Sequence, residues 1–142
     1  MTGNSKCFLD SNIWIYSFIE SQDPEKHNQA LKLINELKPR LCLSAQVVNE
    51  ICINLIRKAG VEEARINQLI VRFYFDYEII ETNQTIILKA SDIRSKHDFS
   101  FWDSMLLASA LEANADNFYS EDMQDGFVLD NKLKIINPFI SN

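Results

Sequence analysis

Lys6-Cys7-Phe8-Leu9-Asp10-Ser11-Asn12 is the stretch that decides how the rest of the chain is read. A short apolar run bounded by polar residues has the pattern of a buried parallel strand, covered on both faces. Asp10-Ser11-Asn12 then supplies three residues of helix-capping type ahead of Ile13-Trp14-Ile15-Tyr16-Ser17-Phe18-Ile19. Strand, acid and helix follow one another, as at the start of an α/β fold. The same order carries a carboxylate to the edge of an apolar interior, where an unpartnered charge is costly.

Outward from that stretch the alternation continues. Asp23 and Pro24 cap and start a second helix that runs to about Leu37, with Ala30, Leu31, Ile34 and Leu37 on one face, and Pro39 stops it. Leu41-Cys42-Leu43 reads as a second strand; Ser44 caps a helix from Ala45 to about Ala59, and Gly60 ends it. A further helix over about 61–74, a strand over 77–80, a helix capped by Thr82 or Asn83 and ending near Lys96, and a polar break over 95–100 come next. The segment 101–113 is apolar almost all round, which predicts a helix buried between layers. Asn117-Phe118-Tyr119 is a fourth strand; a turn at Gln124-Asp125-Gly126 and two late strands, near 127–129 and 133–136, finish the chain. Strands alternating with helices imply a mainly parallel sheet with helices on both faces.

A length of 142 residues and a hydrophobic content of 46% suit one domain over 1–142 with a single core. Apolar stretches such as 13–16 and 105–108 are far too short to span a bilayer, and the polar amino terminus lacks a signal-peptide pattern, so a cytoplasmic protein is expected. Cys7, Cys42 and Cys52 are odd in number and set among apolar neighbours, which fits reduced core thiols. With only His27 and His97 and no close cysteine pair, a zinc site lacks its usual ligands, and any metal must be held by oxygen. Hard cations, magnesium or manganese, are favoured. A net charge of −6 argues against nucleic-acid binding by general attraction, but not against a nuclease whose acids are neutralised by metal.

Four acids stand where the pattern gives them more than a solvating role. Asp10 ends the first strand, Glu50 lies in the helix after Val47-Val48-Asn49, Asp103 follows Phe101-Trp102, and Asp122 follows Phe118-Tyr119-Ser120-Glu121. Carboxylates brought together repel unless a divalent cation joins them, and in an open parallel sheet ligands gather beyond the carboxyl ends of the strands. Each acid also has an ordinary reading. Asp10 suits an N-cap, Asp103 a helix dipole, and Glu50 a solvent-facing stripe with Asn54 and Arg57. Asp122 competes with Glu121 and Asp125 as a turn acid. If the stripe faces the site, Asn54 or Arg57 can approach substrate phosphate. Neither histidine has the partners of a catalytic relay, and Trp14, Tyr16 and Phe18 are assigned to packing rather than to base stacking.

In order and spacing, Leu9-Asp10-Ser11-Asn12, Glu50, Phe101-Trp102-Asp103-Ser104 and Tyr119-Ser120-Glu121-Asp122 resemble the PIN-domain family of metal-dependent ribonucleases, especially the VapC-type toxins of toxin–antitoxin pairs. Ser11 stands where the family more often has Thr. The resemblance implies a three-layer α/β/α fold and hydrolysis of RNA phosphodiesters with Mg2+, or Mn2+ in its place. It makes Asp10, Glu50, Asp103 and Asp122 the catalytic, metal-holding acids, with Asp10 and Asp103 the leading direct ligands and Asn12 and Ser120 positioning the carboxylates. It further implies a small antitoxin partner and a homodimer. Two other readings share the early Asp. A phosphatase expects a second Asp where Asn12 stands and a Lys suitably placed after Asp122; a non-catalytic RNA- or protein-binding module has no need to keep all four acids.

Overall fold

The computed structural model describes residues 5–140. Five strands run parallel: β1 (Lys6–Leu9), β2 (Leu41–Ser44), β3 (Glu78–Ile80), β4 (Ala115–Tyr119) and β6 (Leu133–Ile136). The sixth, β5 (Val128–Leu129), pairs antiparallel with β6, and the sheet order is β3-β2-β1-β4-β6-β5. The expected α/β class with a mainly parallel sheet is what the chain adopts.

That order positions the site. The chain steps from β1 to β2 to β3 in one direction, then returns across the sheet to place β4 on the other side of β1. The crevice between β1 and β4 is therefore the point where strand order reverses, the usual ligand position of an open parallel sheet. Right-handed crossovers place the helices of the two halves on opposite faces. On one side lie α1 (Ser11–Phe18), α2 (Pro24–Leu37), α3 (Ala45–Ala59) and α4 (Glu63–Asp76); on the other lie α5 (Gln84–Lys96) and α6 (Phe101–Glu112). The packing agrees, with α1 against α2 and α3, and α5 against α6.

The central strands are apolar on both faces because both are covered. Cys7, Phe8, Leu9, Leu43 and Phe118 have no exposed surface, and the Phe8 and Phe118 rings stack across the β1–β4 pair at 6.2 Å. Trp14 is 2% exposed and meets Phe73 and Tyr77 edge to face, so the assignment of this aromatic to packing holds. Among the described residues the three cysteines are free and buried, and burial beside Glu78 pushes the Cys42 thiol up to about 12, leaving it inert at neutral pH.

Two packing expectations need correction. Leu31 is 39% exposed, because the buried face of α2 is carried by Ala30, Ile34 and Leu37 alone. Helix α6 is buried from Ser104 to Ala110, but its first two residues, Phe101 and Trp102, are each 62% exposed, so the helix enters the layer only after its first turn has begun.

Candidate functional site

Asp10 is both the cap and the acid of the crevice. Leaving β1 in extended conformation, it accepts a hydrogen bond from the Ser11 amide at 2.8 Å through Oδ1 and starts α1. Its other oxygen, Oδ2, accepts from the Ser120 hydroxyl at 3.0 Å. Ser120 follows β4 and is fully buried; its Oγ also accepts from the amides of Asp122 and Met123, each at 3.2 Å. One hydroxyl thus binds the acid after β1 to the turn after β4, and the Asp10 amide donates to Tyr119 O at 2.9 Å across the same seam. The expectation that Ser120 orients a carboxylate matches this contact, with Asp10 as the acid that its hydroxyl reaches.

Asn12 closes the arrangement from the other side, donating from Nδ2 to Asp122 Oδ2 at 2.9 Å. The neighbours that compete with Asp122 are otherwise engaged. Glu121 takes the Tyr16 hydroxyl at 2.9 Å and pairs with Lys26, while Asp125 accepts the Asn137 amide at 2.8 Å. Asp122 is left facing a cleft of about 420 Å³ that Asp103 also lines, with Lys96, His97, Ser100 and Gln124. Asp103 reaches it from the first turn of α6, where Ser100 caps the helix by accepting the Asp103 amide at 3.0 Å.

Glu50 arrives from α3. Its Oε1 is buried without a hydrogen-bond partner, although Gln46 and Ser11 lie close by. Asn54 is half-buried one turn on and donates its Nδ2 to the Glu50 carbonyl at 2.8 Å, while Arg57 is exposed. Neither is drawn into the crevice by a hydrogen bond of the kind that fixes Asn12.

The electrostatics tie the four acids together. Burial raises the Asp10 carboxyl above the usual range, and the charges of Asp103 and Asp122 push it further, against the hydrogen bonds from Ser11 and Ser120. Glu50 is raised by burial and then by Asp10, with Gln46 and Ser11 opposing and Asp103 adding to the rise. Asp103 is raised by burial and by Asp122, with Ser100 opposing. No ion pair among the described residues joins a Lys or Arg to any of the four. Four acids from four elements are therefore gathered with no ion pair to a described Lys or Arg. As placed, no three Asp, Glu, His or Cys side chains among the described residues are grouped closely enough to hold a metal ion together.

His27 is held in the fold, its Nδ1 2.7 Å from the Tyr16 carbonyl. His97 packs edge to face on Phe99 and Phe127, and it lines the cleft beside Asp103. The sequence reading left His97, Lys96 and Gln124 out of the site. Its signals for them were the polar break over 95–100 and the turn at Gln124-Asp125-Gly126, which say that loops exist and not where they fold.

A PIN domain family model matches residues 7–125. Among solved structures, a toxin–antitoxin complex from Klebsiella pneumoniae superposes with a TM-score of 0.70 at 16% identity, covering 94% of this chain and 98% of that one. VapC20 of Mycobacterium tuberculosis, a sarcin-ricin loop cleaving toxin, gives 0.66 at 19% identity over 80% of this chain and 87% of that one. DNA-bound VapBC from Salmonella typhimurium gives 0.65 at 13% identity over 92% and 98%. No curated protein matches the sequence. The family match spans the strand-end acids of β1 and β4 and both helical acids between them, and this chain belongs to the PIN-domain family.

Proposed function

We propose that the chain is a metal-dependent endoribonuclease and the toxin of a toxin–antitoxin pair. The observation that carries the reading is the gathering of Asp10, Glu50, Asp103 and Asp122 at the strand-order reversal, where burial and neighbouring like charge raise the first three, with no ion pair from a described Lys or Arg to balance them. The donor set fits a hard divalent ion. All four groups offer oxygen, and the buried Glu50 Oε1 lacks a well-formed hydrogen bond, with Gln46 and Ser11 close by. The open spacing suits magnesium, which keeps several waters and takes only one or two carboxylates directly.

Asp10 and Asp103 are the residues proposed to hold Mg2+, or Mn2+ in its place, with Glu50 and Asp122 acting through water. A bound divalent ion supplies a lowered pKa for an attacking water and a counter-charge for the phosphorane. The rest falls to the protein. Glu50, raised by burial and like charge, is poised to accept a proton from that water. Ser120 fixes Asp10, and Asn12 fixes Asp122, so two carboxylates keep their places without rearranging. Asn54 and Arg57, on the helix that carries Glu50, remain proposed phosphate contacts.

Toxin–antitoxin complexes among the solved neighbours support a small antitoxin as partner, and a homodimer accords with the exposed apolar side chains of α4 and α5: Val71, Phe75, Ile87 and Leu88. No described helix is long and apolar enough to cross a membrane, in keeping with a cytoplasmic enzyme. The deciding experiment incubates the purified chain with single-stranded RNA in Mn2+, in Mg2+ and in EDTA, beside Asp10→Asn and Asp103→Asn. Cleavage only with metal and only by the wild type is expected. Turnover of an aryl phosphate without RNA cleavage points instead to a phosphatase, and RNA binding without either activity to a non-catalytic module.

A further inference from the structure

The cleft that Asp103 and Asp122 line together has a second wall that the acids do not use. His97 follows α5, its amide on Ile93 O at 2.9 Å, and its ring stands edge to face with Phe127 at 5.3 Å and with Phe99 at 6.3 Å, while Phe99 and Phe127 meet at 5.4 Å. All three rings are half-buried and line the cleft. Gln124 lines it from the turn after β4, a loop pinned to β6 by the Gly126 amide on Ile135 O at 2.8 Å. Among the described residues neither the His97 imidazole nor the Gln124 carboxamide makes a side-chain hydrogen bond or an ion pair, so two polar groups on a fixed backbone are left for something outside the chain.

The charge of the cleft decides what that something is. Asp98, Asp103 and Asp122 stand on its walls against one Lys or Arg of the described lining, Lys96, which Asp92 holds at 3.1 Å. An anion that enters alone meets net negative charge. A neutral group that both donates and accepts meets its match, since a neutral imidazole and a carboxamide each carry a donor and an acceptor. The ring wall adds the apolar surface that small-molecule pockets use, and a volume of about 420 Å³ falls within the ~300–1,000 Å³ that such pockets occupy. A nucleoside has this chemistry, with a flat apolar face, a base edge of donors and acceptors, and ribose hydroxyls. Because Asp103 and Asp122 belong to the cleft as well as to the acid cluster, it is space open to a nucleoside whose phosphate lies at those acids.

We infer that this cleft is the subsite for one nucleoside of the RNA strand, next to the phosphodiester that is cut, and that His97 and Gln124 bind its hydrogen-bonding edge and so set which base the site prefers. The inference rests on the ribonuclease reading of the acids, and it gives the two residues a part in binding and base preference, none in the chemistry. His27 and His97 are the two histidines of the chain, and His27 is held at the Tyr16 carbonyl with its Nδ1 at 2.7 Å. One imidazole therefore reports on the cleft and the other serves as its control.

The test uses that pair. The ribonucleoside 5′-monophosphates, and inorganic phosphate beside them, are titrated into the purified chain in magnesium at fixed pH while the imidazole C–H proton resonances are followed by NMR, with His97→Phe as the assignment. Cleavage of single-stranded RNAs of differing base composition is measured in manganese for wild type, His97→Phe and Gln124→Ala. His97→Phe keeps a ring against Phe99 and Phe127, and Gln124 is exposed, so neither change opens the core. A nucleotide is expected to shift the His97 resonance and leave that of His27 in place, whereas phosphate moves neither. In each variant KM for the preferred RNA should rise about tenfold, as for one lost hydrogen bond, with a flatter base preference, little change of kcat and an unaltered manganese requirement. Wild-type cleavage with no His97 shift, and with unchanged KM and base preference in both variants, overturns the subsite and leaves the ribonuclease standing. A nucleotide-specific shift without cleavage by the wild type keeps the nucleoside subsite and removes the ribonuclease. An equal shift from inorganic phosphate overturns the nucleoside in favour of an anion as occupant.

Discussion

Asp10 shows how one side chain answers two demands. As a cap it satisfies the first amide of α1, and as a member of the acid cluster it sits 9% exposed among like charges. The sequence offered these as rival readings, and the geometry makes them compatible because each takes a different oxygen. The cost falls on stability. An acid whose folded pKa is raised contributes most to the folded state when protonated, and that contribution is lost as pH rises through the folded value. In EDTA at neutral pH, Asp10→Asn should therefore melt about 2–4 °C higher than wild type, a net gain of about 1 kcal/mol, since asparagine keeps the capping oxygen and removes a charge at the cost of the Ser120 hydrogen bond. The gap should close below about pH 4, where the unfolded carboxyl is protonated too. Manganese should raise the wild-type melting temperature and leave the variant nearly unmoved. A variant that melts no higher in EDTA at pH 7 means that the cluster stores no repulsion.

Ser120 sits beneath that cluster with no freedom left. Its hydroxyl donates to Asp10 and accepts two amides, all in a position without exposed surface. Ser120→Ala strands two backbone donors and one carboxylate oxygen, which predicts a loss of about 1–3 kcal/mol in urea unfolding together with reduced manganese-dependent cleavage. Unchanged stability with normal cleavage would show that water replaces the hydroxyl at no cost.

At the scale of elements, the parts of the site that were legible in the sequence are those carried by local rules. Strand followed by acid followed by cap placed Asp10, and the same logic after Phe118-Tyr119 placed Asp122. What local rules do not carry is the direction of a helix face. The stripe of Glu50, Asn54 and Arg57 reads equally as solvent or as site, and the structure divides it: Glu50 is half-buried toward the acids and Arg57 is exposed. Likewise 101–113 has apolar residues all round, so periodicity has no phase from which to see that its first turn overhangs the sheet. Helix ends were legible where a residue has one conformational use. Gly60 ends α3 with a φ of 62° and its amide on Ile56 O at 3.0 Å, and an added Cβ would meet nothing within 4 Å. The penalty for Gly60→Ala is then purely one of backbone conformation, about 1–2 kcal/mol by thermal or urea unfolding. Gly60→Asn should lose less, because asparagine tolerates the left-handed region better. Equal losses for the two variants would place the cost in something other than φ.

For the whole molecule, the fold class followed from the order of elements, whereas the convergence of acids from β1, α3, α6 and β4 depends on the return of the chain across β1, which no local pattern encodes. Charge is the remaining global property, and it bears on how the proposed RNA substrate is held. Of the 14 Lys and Arg residues, Lys6, Lys26, Arg72, Lys89, Lys96 and Lys132 are engaged with acids. An acidic chain that commits so many cations internally neutralises few phosphates. If about two phosphates are contacted, the slope of log affinity against log salt for a single strand is about −1.4. Raising salt from about 50 to 200 mM should then weaken oligonucleotide binding by roughly tenfold or less, against losses of a thousandfold or more for proteins that neutralise six to ten phosphates. Binding by the acid cluster through a divalent ion predicts the shallow slope, and a salt titration of oligoadenylate affinity in calcium measures it. A steep slope would require a basic track along the surface, and with it a different account of how a protein of this charge finds RNA.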